Sequence, residues 1–109
     1  MMSYWNSKTD KHGAGKFLIY YGNKFVARFF LHYTSEETGF VLEFNSKLWV
    51  TVLVEEPEPF RTEHYTEHAY ALLKGTEKHW AHQIPTVVAT KAKLKGHKVL
   101  IHDERQSIC

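Results

Sequence analysis

A chain of 109 residues, 43% hydrophobic and 24% charged with a formal net charge of +2, has the size of one domain and lies far from disordered compositions. So small a charge excludes the strongly basic footprint of most duplex-DNA binders. Cys109 is the only cysteine, which rules out an intrachain disulfide.

In chain order, residues 1–15 read as a loosely ordered N-terminal segment. The N-terminal stretch MMSYWNSKTDKHGAGK is polar where a signal peptide would be apolar, and no run approaches the ~18 apolar residues of a membrane span. A cytoplasmic protein away from membranes is expected. HGAGKF is not a phosphate loop, because Asp10 stands at the first glycine position and Phe17 follows Lys16.

KFLIYYGNKFVARFFLHY predicts two strands around Gly22 and Asn23, residues that tolerate the positive φ of a tight hairpin. TSEETGFVLEFNSKLWVTVLV predicts two more, with turns at 34–39 and at Asn45 and Ser46. In the second strand, alternation puts Phe25, Ala27, Phe29, Leu31 and Tyr33 on the core face, and Val26, Arg28, Phe30 and His32 on the other. The prolines and glutamates of EEPEPF end the sheet.

A helix is expected from Thr62 as N-cap, broken at Gly75 before EKHWAHQI and Pro85. The run TVVATKAKLKGHKVLIHD predicts a final hairpin about Gly96, although 86–94 also suits a helix. The expected fold is therefore one α+β domain over 1–109. It consists of an antiparallel four-stranded meander, then a broken helix and a C-terminal β-hairpin.

Four of the eight histidines fall between 62 and 82. On an unbroken helix His64, His68, His79 and His82 share one side, bordering a buried face of Tyr65, Ala69, Leu72, Leu73, Trp80 and Ile84. A single metal cannot bridge all four on a straight helix, but the pairs His64/His68 and His79/His82 have ligand spacing, and a fold-back at Gly75 would bring them together. His64, Glu67 and His68 match H-x-x-E-H, which resembles the inverzincin metallopeptidase motif. The resemblance implies His64 and His68 as zinc ligands and Glu67 as the base. It covers five residues, whereas those enzymes use a further downstream glutamate and a much larger domain. Solvated histidines at a helix edge are the simpler reading, so no cofactor is expected, and zinc is the one to look for.

Aromatics interleaved with cations open a second possibility. Tyr20, Arg28 and Phe30 on a bare sheet face, with Lys91, Lys93, Lys95 and Lys98 tracking phosphates, would bind a single strand of nucleic acid. Such strand aromatics serve more often as core or as protein interface. Apolar residues on both faces of a meander, with little helix to cover them, favour a non-enzymatic binding protein. It would act through protein contacts and self-associate, homodimer first. Small accessory or inhibitory proteins, including those of viruses and mobile elements, have this character. Single-stranded nucleic-acid binding ranks second and a metal-dependent hydrolase third.

Overall fold

The computed structural model of the chain describes residues 5–9, 16–54 and 62–105. Six strands form one antiparallel sheet in sequence order: β1 (Trp5–Thr9), β2 (Lys16–Tyr21), β3 (Lys24–Tyr33), β4 (Thr38–Asn45), β5 (Leu48–Leu53) and β6 (Lys98–Asp103). Between β5 and β6 come α1 (Thr62–Leu73), two single 3-10 turns at Thr76–Lys78 and Ala81–Gln83, and α2 (Ile84–Leu94). The expected α+β class and meander are present, with β1 added inside the segment read as loosely ordered. The EEPEPF break, the HGAG stretch, Cys109 and the capping side chain of Thr62 lie outside the described residues.

Local chemistry accounts for each joint. Gly22 takes φ 61° between β2 and β3, a conformation glycine adopts without strain. The β3–β4 turn closes on Thr34, whose hydroxyl accepts the N–H groups of Glu36 at 3.2 Å and Glu37 at 2.9 Å. Asn45 does the same for the next turn, its Oδ1 accepting the Lys47 N–H at 2.8 Å.

α1 stops where expected, at Gly75 in the left-handed conformation with φ 89°. The buried Thr76 hydroxyl then donates to the Leu73 carbonyl at 2.7 Å, satisfying an acceptor that the helix end leaves open.

The expected C-terminal hairpin is a correction: 84–94 is α2, and β6 pairs with β5 instead of with a neighbouring strand. Pro85 sits in the first turn of α2, where its missing N–H costs nothing. The buried residues Ile84, Val88, Ala89 and Ala92 recur at helical spacing. Gly96 ends the helix rather than turning a hairpin. At φ 90° its N–H donates to Lys93 O at 3.0 Å and that of His97 to Ala92 O at 3.0 Å, the paired bonds of a Schellman motif.

Both helices pack on one face of the sheet, α1 over β3 and β4 and α2 over β5 and β6. Phe29, Phe40, Leu42, Val50 and Val52 meet Tyr65, Leu72, Leu73 and Val88 there, all essentially inaccessible to water. Each such side chain contributes ~1.5–3 kcal/mol by leaving water. Trp80, expected on the buried face, is 74% exposed, because the helical period does not continue past Gly75.

Two register shifts alter which residues belong to that face. One lies opposite Val26, where Ile19 pairs with Ala27 but Tyr20 with Phe25. The other lies at Phe44, where Glu43 pairs with Trp49 but Asn45 with Leu48. Each bulge inserts one residue and breaks the strict alternation of its strand beyond that point. Val26 consequently packs against the helix-side core, although alternation placed it with Arg28 and Phe30, while Phe44 packs there in line with Phe40 and Leu42.

Candidate interaction surface

The other side of the sheet is built from alternate residues in register across the strands. One row runs Leu18, Arg28, Glu43, Trp49, His102; the next Phe30, Val41, Thr51, Leu100; the third His32, Gly39, Leu53, Lys98. Phe30, Val41 and Leu53 are half-buried and Leu100 is 52% exposed, so an apolar band crosses the middle of this face. Polar pairs flank it. Arg28 Nε lies 3.6 Å from Glu43, the Trp49 and His102 rings stack at 3.9 Å with planes 12° apart, and His32 Nε2 lies 3.3 Å from Glu37.

The candidate nucleic-acid residues divide between two sides of the molecule. Arg28, Phe30 and Lys98 lie in the open-face rows, and Tyr20 joins Leu18 on that side by its register with β1. Lys91 and Lys93 are on α2, with Lys95 as its C-cap, in the helix layer behind the sheet. Lys91 donates to the Lys74 carbonyl past the end of α1, tying the two helices together. Burial foremost, with repulsion from Lys95 after it, holds the Lys91 ammonium below the usual lysine range.

The histidine pairs stay apart. His64, Glu67 and His68 line a shallow groove of about 280 Å³ on α1, whereas His79 and His82 line a different cleft beside the 3-10 turns. His68 meets His97 edge to face, with ring centroids 5.5 Å apart. Among the described residues, no three His, Cys, Asp or Glu side chains converge as a metal site. The chain does turn back after Gly75, with α2 against α1 and His97 beside His68, but His79 and His82 stay at the 3-10 turns between the two helices, so the expected meeting of the pairs does not occur.

The cleft that holds His79 and His82 was not legible in the sequence. It encloses about 350 Å³ between the 3-10 turns and the end of the sheet where both bulges occur. Leu48, Ile84 and Pro85 form its buried floor; Trp5, Tyr21, Val26 and Phe44 form half-buried walls. The Trp5 and Tyr21 rings lie 4.9 Å apart.

Comparison with known protein families, curated proteins and solved structures gives no match for the chain. Among the described residues no helix is long and apolar enough to cross a membrane.

Proposed function

We propose that this protein is a non-enzymatic accessory protein that acts through protein contacts, with the open sheet face as its contact surface, and that a second copy of the chain occupies that face when no other partner does. The observation that carries the reading is the apolar band of half-buried Phe30 and Val41 with exposed Leu100, on the sheet face opposite both helices. Five strands at ~4.8 Å spacing and about six residues long at ~3.3 Å each give a footprint on the order of 500 Å² in plan. Side-chain relief raises the accessible area toward the ~800 Å² per partner of a standard interface. An apolar centre bordered by Arg28, Glu43, His32 and Lys98 follows the usual anatomy of such surfaces. The protein works in the cytoplasm in this reading, in keeping with its single cysteine.

Sedimentation velocity and native mass spectrometry test the proposal together. The expected wild type is a zinc-free dimer, and Phe30→Glu or Leu100→Lys should weaken association at least ~10-fold, as loss of a central apolar anchor does, with the circular dichroism spectrum unchanged. A wild type that stays monomeric at the highest soluble concentration overturns the self-association. Salt-sensitive retention of a labelled single-stranded oligonucleotide, lost on Arg28→Ala, would replace it with nucleic-acid binding. Bound zinc lost on His68→Ala would replace it with metal chemistry.

A further inference from the structure

We propose that the cleft between the 3-10 turns and the bulged end of the sheet binds a small amphipathic acid, one ring system or short acyl chain carrying a single carboxylate or sulfonate. Its volume of about 350 Å³ falls at the small end of the ~300–1,000 Å³ range of ligand pockets. The apolar part of such a ligand has a ready surface. Leu48, Ile84 and Pro85 close the bottom, and the Trp5 and Tyr21 rings offer a tilted aromatic wall.

The β3 bulge shows that this hollow is built into the sheet rather than left over at its end. The bulged residue of β3, Val26, is one that alternation would have aimed at the opposite face, and it lines the cleft beside Phe44, the bulged residue of β4. Bulges recur beside functional sites because they re-aim side chains in this way.

Charge at the mouth selects the head group. Lys24 and Arg105 stand there with the imidazoles of His79 and His82, against Glu77 as the sole carboxylate among the described lining residues. Glu77 Oε1 is already engaged by the Gly75 N–H at 3.0 Å. Arg105 is also committed, its guanidinium holding Asp103 through bonds of 3.0 Å. Among the described lining residues Lys24 is thus the cation available to an incoming anion.

The test uses 8-anilinonaphthalene-1-sulfonate as probe, read by its fluorescence and by energy transfer from tryptophan, in the wild type and in three variants whose folding is checked by circular dichroism. The wild type should bind one dye per chain, displaced by decanoate more effectively than by decan-1-ol. Val26→Trp, which fills the cleft, and Lys24→Glu, an exposed change at its mouth, should each lower dye affinity at least ~10-fold. Leu100→Lys on the open sheet face should leave it unchanged, which separates this site from the proposed contact surface. Dye binding insensitive to both Val26→Trp and Lys24→Glu, or lost in Leu100→Lys alone, overturns the proposal. Displacement by decan-1-ol as strong as by decanoate overturns the acid specificity.

Discussion

Replacing Gly39 by alanine adds one methyl group where β5 leaves no room for it. A Cβ built on Gly39 would stand 2.0 Å from Val52 O, 2.8 Å from Leu53 Cα and 3.0 Å from Val52 C, against the 3.4–4 Å of ordinary contact. All three obstacles are backbone, so no side chain can swing aside, and the strands must separate by more than an ångström. β5 cannot yield freely at this end, because the Val54 N–H donates to Thr38 O at 2.8 Å and the Thr38 hydroxyl donates to Val54 O at 2.9 Å. Overpacking of this kind costs ~1–3 kcal/mol, and each backbone hydrogen bond broken adds about 1 kcal/mol. The expected loss is ~2–4 kcal/mol, or roughly 10–20 °C in Tm for a domain near this size. Gly22→Ala is the control: its φ of 61° penalises a side chain, but nothing lies within 4 Å, so only the left-handed backbone term of ~1–2 kcal/mol applies. Urea unfolding followed by tryptophan fluorescence, with midpoints compared at constant slope, measures both. If Gly39→Ala is as stable as wild type within ~0.5 kcal/mol, or is less damaging than Gly22→Ala, then β4 and β5 are not paired in this register.

Two further outcomes follow from side chains in the helix layer. Thr76→Val removes the donor to the buried Leu73 carbonyl while keeping the shape, and should cost ~1–3 kcal/mol in the same unfolding assay; Thr76→Ser should recover most of it. Lys91 has a folded pKa below its ordinary 10.5, chiefly through burial, so between the two values the unfolded chain binds the extra proton. Stability should therefore climb with pH through that alkaline window, and the cost of charging Lys91 is present in full at lower pH. In Lys91→Gln this rise should be missing from the urea midpoint on approach to pH 10.5, by comparison with wild type.

What could be read from the sequence was local. Gly22 marked the first hairpin, Gly75 the end of α1, and the spacing of Tyr65, Ala69, Leu72 and Leu73 its buried face, because each depends on neighbours a few residues away. The β-branched run Thr86–Val88 pulled 86–94 toward strand, while Pro85 in the first turn and Ala89 and Ala92 in the buried stripe belonged to a helix; tertiary burial outweighed a weak β-propensity. The open face was half legible. Period-2 alternation placed Arg28 and Phe30 together, yet it misassigned Val26, since a bulge depends on the partner strand and leaves no mark in the strand's own pattern. The cleft escaped for the same reason, with walls drawn from both ends of the chain.

The late position of β6 has a consequence for synthesis. Strands β2 to β5 each follow the strand they pair with, whereas the second flank of β5 must wait for a strand encoded beyond both helices. At ~5–20 residues per second, the ribosome takes about 2–9 s to supply the residues from the end of β5 to the start of β6. Throughout that interval the nascent chain presents Leu48–Leu53 with one flank unzipped. Arrival of Lys98–Asp103 is the event that seals it.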